Sequence, residues 1–249
     1  NPPVTINPVP LAEGLVLRNE RLELTVNKKT GGIQSLRLHR DRSTRVSQRL
    51  VFHQQHGPVG ESQMVAGRVE VTRNDELIGE ITSMGRILDA KSRPLANFTQ
   101  RVRVVRGLIP IIVEVELDPQ QLPEGNLWAS YFGSRLAWAD DALSIRVGAQ
   151  WSGRETEREQ IESPEWVEID DLIGRITIFP LGLPFHRRSS TAWLDTLLLP
   201  TGEERRRFQF AIGLDVPSPT HAACALLSAG QPFIVDMPSA ASAPKGWFL

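Results

Sequence analysis

Cysteine is almost missing from this chain of 249 residues: Cys224 stands alone. No intrachain disulfide can form, and stability has to come from packing. An excess of one charge is missing too. The 28 lysines and arginines meet 29 aspartates and glutamates, for a formal net charge of −1. That balance argues against a surface built for nucleic acid or for an anionic membrane. No apolar run approaches the roughly 20 residues of a membrane-spanning helix. The Gly-x-Gly-x-x-Gly, P-loop, Gly-x-Ser-x-Gly and His-Glu-x-x-His patterns are absent. With them go the sequence signatures of dinucleotide binding, phosphate cradling, the nucleophile elbow and helical zinc proteases.

What the chain does have is two-residue periodicity. Leu22, Leu24 and Val26 alternate with Glu23, Thr25 and Asn27, the pattern of a half-buried strand. Lys28-Lys29-Thr30-Gly31-Gly32 supplies a turn whose glycines can take positive φ, and a second apolar run follows at Ile33, Leu36 and Leu38. The step from Ile33 to Leu36 breaks strict alternation and predicts a bulge. Ile111, Val113, Val115 and Leu117 oppose Glu114 and Glu116, and Phe208, Phe210, Ile212 and Leu214 form a similar run. Val46 to His56 is ambiguous, Leu127 to Phe132 reads as a short aromatic strand, and Ser152 to Ser163 as a charged loop or edge. Pro119 to Gly125 is the turn-rich midpoint.

A dozen or more strands at roughly 8–12-residue spacing predict an all-β protein, a large antiparallel β-sandwich or barrel. One short C-terminal helix is expected over Thr220 to Ser228, capped by Ser218, with Pro219 in its first turn and Gly230 ending it. Residues 231–237 read as a last strand. The Pro-rich opening reads as a linker over residues 1–14, residues 15–238 as the sandwich, and residues 239–249 as a tail. We expect the whole to be a piece of a longer protein.

Few residues carry chemistry on their face. His53 and His56 have a spacing that can serve a metal, but no third ligand is implied and the polar, glycine-bounded surroundings fit an ordinary loop. Asp140-Asp141 and Asp170-Asp171 are adjacent pairs; neighbours on a strand point to opposite faces, so they suit turns better than an acid–nucleophile couple. Cys224 reads as packing. Two stretches suit a sugar, because rings stack on the apolar faces of pyranoses while charged groups bind hydroxyls. Trp138 lies beside Arg135 and two acids. His186 and Arg187 follow a proline turn, with Asp195 in the next strand. Arg135, Trp138, His186, Arg187 and Asp195 are therefore the carbohydrate-contact candidates; the competing account of the second group is a basic loop paired with acids.

Leu17-Arg18-Asn19-Glu20-Arg21-Leu22-Glu23-Leu24 followed by Lys29-Thr30-Gly31-Gly32-Ile33-Gln34-Ser35-Leu36 resembles the start of the C-terminal β domain of family 38 glycoside hydrolases, the α-mannosidases. Phe185-His186-Arg187-Arg188, Leu194-Asp195-Thr196-Leu197-Leu198 and Arg207-Phe208-Gln209-Phe210 are similar to its closing strands. The resemblance covers residues 15 to 235 and implies a β-super-sandwich of the galactose-mutarotase-like type. It also implies that the nucleophilic aspartate and the zinc belong to an N-terminal α/β barrel of the same chain. No position here corresponds to them, so the sandwich would hold no catalytic residue, metal or cofactor. Its partners would be that barrel and carbohydrate. Two rivals remain: a free-standing epimerase or mutarotase, using His186 with Glu114 or Asp195 as acid and base, and a lectin-like or scaffolding module.

Overall fold

The computed structural model describes residues 10–55, 61–139, 142, 144–150 and 152–228. In chain order the strands are β1 (Ala12–Glu13), β2 (Val16–Arg18), β3 (Leu22–Val26), β4 (Ile33–Leu38), β5 (Val46–Gln54), β6 (Gln63–Asn74), β7 (Ile78–Leu88), β8 (Pro94–Val105) and β9 (Ile111–Pro119). They continue as β10 (Ser130–Ala137), β11 (Ser144–Ala149), β12 (Ser152–Glu155), β13 (Gln160–Glu162), β14 (Trp166–Asp170), β15 (Arg175–Phe179), β16 (Phe185–Ser190), β17 (Trp193–Pro200) and β18 (Arg207–Leu214). The helix α1 (Pro219–Ser228) follows. The first sheet runs β1-β2-β3-β4-β5-β10-β17-β16-β13 and the second β12-β11-β14-β15-β18-β9-β8-β7-β6. Neighbours pair antiparallel throughout. The protein is the all-β super-sandwich that the alternation and the resemblance imply.

The opening hairpin shows how local sequence sets this architecture. The Asn27 side-chain carbonyl accepts the N–H groups of Lys29 (2.8 Å) and Thr30 (3.1 Å), fixing the turn. Its two glycines do different work. Gly31 takes φ +79°, which only glycine adopts without strain. Gly32 serves by lacking a side chain: a Cβ there would sit 2.4 Å from the Gln48 carbonyl oxygen of β5. Gly32→Ala must push β4 away from β5, and we expect it to cost about 1–3 kcal/mol, read as a lower urea midpoint at unchanged m-value. The expected irregularity is present, with the β4–β5 register shifting between Ile33 and Leu36.

The core lies between the two sheets. Leu22, Leu24, Val26 and Leu36 of the first layer face Ile81, Val102, Val113, Val115, Ile176 and Phe210 of the second, all essentially inaccessible. At its centre two polar side chains meet across the layers: the Gln48 amide donates to Gln100 (3.0 Å) and is answered by the reverse bond at 3.1 Å. Gln48 also donates to Ser134 (3.0 Å). A satisfied buried network of this kind fixes layer register. A second tie lies at one end of the sandwich. The Arg45 side chain, wholly buried, sits 3.5 Å from Asp41, 3.5 Å from Asp215 and 3.9 Å from Asp171, so one guanidinium joins the entry to β5 with the β14–β15 turn and the exit of β18.

Several elements extend beyond their sequence limits. Leu11 and Ala12 are buried and β1 pairs with β2, so the sandwich takes in part of the stretch expected as linker. The aromatic strand expected from Leu127 begins later and runs on: residues 126–129 form a turn on the Asn126 carbonyls, and β10 carries Arg135. Leu183 to Arg188 reads by composition as a basic loop and by resemblance as part of a closing strand; from Phe185 it is a strand, because it lies between β13 and β17 and its backbone groups are paired there. The charged stretch after Ser152 supplies β12 and β13, which edge the two sheets. Helix α1 lays Ala223 on Trp166, Phe179 and Ala211 of the second sheet's outer face and on Val216 just beyond β18, and Cys224 on it is half-buried and free. The strand expected at residues 231–237 lies outside the described residues.

Candidate functional site

Strand register builds a row of charges on the outer face of the first sheet. Arg49 of β5 pairs with Arg135 of β10, Arg135 with Asp195 of β17, and Asp195 with Arg187 of β16. Side chains alternate along a strand, so these four point the same way, away from the core. Arg135 grips Asp195 with both arms, Nε to Oδ1 at 2.7 Å and Nη2 to Oδ2 at 2.8 Å. The Tyr131 hydroxyl donates to Oδ2 at 2.9 Å. This planar two-pronged match is the strong form of an ion pair. Burial works against charge on Arg135, yet Asp195 outweighs it and raises the guanidinium pKa. Burial and the same carboxylate push the Tyr131 phenol far above its ordinary range, so it remains a donor.

The row continues on both flanks. His53 stacks on Tyr131 with ring centroids 5.0 Å apart, and its Nε2 accepts a bond from Arg187. Burial and the positive charge of Arg187 push His53 down to about 4, so its imidazole is neutral at pH 7. Arg187 also donates to the Trp128 carbonyl at 3.1 Å and to Glu159 at 2.8 and 3.0 Å. Arg49 reaches Glu61 at 2.6 Å. The guanidinium carbon of Arg135 lies 5.0 Å from the ring centroid of Trp193, a cation–π contact. Beside this array is a groove of about 390 Å³ whose lining includes Asn27, Gln34, Ser47, Arg49, Arg135 and Trp193. Amides, a hydroxyl, guanidiniums and one indole are what a polyol ligand needs.

Of the five sequence candidates, Arg135, Arg187 and Asp195 come together. Trp138 and His186 do not. Trp138 falls at the opposite parity from Arg135 and is buried in the core. His186 is wholly buried on the core face, with Nδ1 3.1 Å from the Thr196 hydroxyl and Nε2 3.3 Å from the Ser163 carbonyl. Both corrections follow from strand parity: His186 precedes Arg187 by one residue, so it must face the other way. His186 and Asp195 are thus on opposite faces, and Glu114 pairs with Arg101 in the second sheet; these acid–base couples are not assembled. Asp195 itself is fully buried, held by Arg135 and Tyr131.

Four contributors were missed: Arg49, His53 in this role, Tyr131 and Trp193. The signal for Trp193 and Tyr131 was parity, since Trp193 is two residues before Asp195 and Tyr131 four before Arg135. Arg49 and His53 came from a strand that sequence left ambiguous. Of the pair His53 and His56, the second lies outside the described residues, as do Asp140 and Asp141. Asp171 accepts the N–H groups of Ile173 and Gly174, both at 2.8 Å, the turn role expected of it. Among the described residues no three His, Cys, Asp or Glu side chains are grouped to hold a metal, and no helix is long and apolar enough to cross a membrane.

Burial pushes His186 down to about 4, and the sign of its linkage is definite. A histidine depressed in the folded state binds its proton more readily when unfolded. Its contribution is complete above the unfolded value near 6.5 and is lost as pH falls from there towards 4. We expect wild-type stability to fall over this window by about 1.4 kcal/mol for every tenfold difference in proton affinity between the folded and unfolded chain. His186→Gln should make that part of the profile less steep, with His53, depressed to the same range, supplying what remains, measured by urea unfolding at successive pH values.

Fold and outer face together define a two-sheet antiparallel super-sandwich with a polar, arginine-rich outer layer. No family model and no curated protein matches the chain; solved structures do. It is similar in fold to a glycosyl hydrolase family 38 protein from Enterococcus faecalis, with TM-score 0.61 and 11% identity over 83% of this chain and 31% of that one. It is similar likewise to an α-mannosidase from Enterococcus faecalis, with TM-score 0.61 and 11% identity over 83% of this chain and 30% of that one. The chain thus spans less than a third of the length of either. A galactose mutarotase-like protein from Lactobacillus casei aligns at TM-score 0.45 and 11% identity, over 80% of this chain and 99% of that one.

Proposed function

We propose that this chain is the accessory β-sandwich of an α-mannosidase-like glycoside hydrolase, seated beside a catalytic barrel and bordering a carbohydrate cleft with the outer face of its first sheet. The observation that carries this reading is the alignment of most of this chain on under a third of a family 38 chain. The site supports it. Its donors suit sugar hydroxyls, while its one central carboxylate is enclosed by Arg135 and Tyr131. In this reading the nucleophile and the zinc reside in the barrel.

The test uses the chain alone, a separately expressed barrel, and their mixture. With 4-nitrophenyl α-mannoside we expect no turnover from the chain alone and a gain in barrel activity or thermal stability on mixing. A sandwich that leaves the barrel unchanged would count against the accessory role. Acceleration of galactose mutarotation above the buffer rate, followed by polarimetry, would favour the epimerase instead.

A further inference from the structure

The charges of the outer face do not balance within the row. Arg49, Arg135 and Arg187 surround one carboxylate, Asp195. The deficit is made up from outside the row by Glu61 and Glu159. Their positions differ from that of Asp195 in one respect: Asp195 has no solvent exposure, whereas the side chains of Glu61 and Glu159 are 74% and 58% exposed. Asp195 is therefore a fixed part of the sheet. Glu61 and Glu159 are acids from loops laid over arginines that the sheet holds in place, and Arg49–Glu61, exposed on both sides, is a pair of the kind that holds weakly. Arg49, 42% exposed, is the guanidinium in the groove wall whose partner stands in solvent.

Resting on the carbohydrate reading above, we infer that the ligand of this groove is an acidic oligosaccharide, one of whose carboxylate or sulfate groups replaces Glu61 on Arg49 while a sugar ring lies against Trp193. A bidentate guanidinium favours such planar or multi-oxygen anions. A neutral sugar would give Arg49 no reason to release Glu61. Arg49 and Arg187 stand on strands three spacings apart, about 14 Å. That span exceeds one pyranose, so only a second acidic group on another residue of an oligosaccharide would reach Arg187, and it would have to displace Glu159 there. His53, neutral between the arginines, adds no charge at pH 7; the attraction comes from guanidiniums and persists at neutral pH.

Calorimetric titration of the 249-residue chain with tetragalacturonate, a chondroitin sulfate tetrasaccharide and mannotetraose tests this. We expect at least one acidic probe to bind about tenfold tighter than mannotetraose and to weaken as salt is raised. The two acidic probes separate carboxylate from sulfate recognition. Arg49→Gln should remove about a tenfold factor. Glu61→Gln should tighten binding about threefold or more, because the competing internal acid is gone. Both sites are solvent-exposed, so folding is retained. Mannotetraose binding as well as the acids, inorganic sulfate binding as well as either, or Glu61→Gln leaving affinity unchanged would overturn the inference while sparing the carbohydrate reading. Absence of binding by all three saccharides would overturn both.

Discussion

Replacing Arg45 with alanine should lower the unfolding free energy by about 3–5 kcal/mol, the usual loss when one member of a buried ion cluster is removed. The melting temperature should fall by about 10 °C for a chain of this size. Arg45 has no solvent exposure, and Asp41, Asp171 and Asp215 around it are themselves 8%, 2% and 18% exposed at the side chain. Without the guanidinium, three carboxylates face one another at the junction of the two sheets. Arg45→Met separates charge from packing: it keeps the volume, so recovery to near wild-type stability would show that shape, not charge, is what matters. The pH profile gives a second readout. Burial pushes Asp215 up, but the Arg175 backbone N–H and the guanidiniums of Arg45 and Arg40 more than offset this and hold it below its ordinary value of 3.8. A depressed carboxylate stabilises above the unfolded pKa and loses that contribution as pH falls through the folded one. In Arg45→Ala this acid-side loss should shrink.

Asp195→Ala is expected to be nearly as damaging, at about 3–5 kcal/mol, because it strands the Arg135 guanidinium and the Tyr131 hydroxyl at once. Arg135 is only 12% exposed at its side chain, so water can compensate it poorly. Asp195→Asn retains the shape and one acceptor oxygen and should lose less, about 2 kcal/mol. The paired variant Asp195→Leu with Arg135→Met removes both charges, and we expect it to recover much of the loss. A double-mutant cycle by urea denaturation measures the coupling. Near-zero coupling would mean that the pair is not what joins β10 to β17 at this row. Phenol titration of Tyr131, the sole tyrosine, offers an independent signal: Asp195→Asn should bring it down from its raised value, since part of that rise comes from the carboxylate.

The sandwich was legible because two-residue alternation is a direct record of one-sided burial. Ile111, Val113, Val115 and Leu117 are all inside while Glu114 and Glu116 are outside, as their spacing says. Legibility failed where both faces of a strand are occupied. β5 buries Leu50, Val51 and Phe52 in succession, so its period is blurred and Arg49 and His53 could not be placed. β16 reads as Phe-His-Arg-Arg, a basic loop by composition, and becomes a strand only because its neighbours supply backbone partners. The site was half legible for a related reason. Sequence proximity put Trp138 with Arg135 and His186 with Arg187, yet on a sheet the residue that shares a face is two positions away or across a strand pair. Trp193 and Tyr131 could have been found by parity; the alignment of Arg49 with Arg135 needed the register of strands far apart in the chain.

That register also governs how the molecule comes into being. β5 takes β10 as its neighbour and β9 takes β18, so each layer is stitched from ribbon on both sides of the turn at Pro119 to Gly125. Neither half can finish its own layer, and partners must search across long stretches of polymer before any of them is rewarded. A ribosome would have to release β18 before the second layer could close. Until then the bare rims of β5 and β9 stand open to other chains, which makes synthesis, rather than the finished state, the interval in which this protein most needs protection.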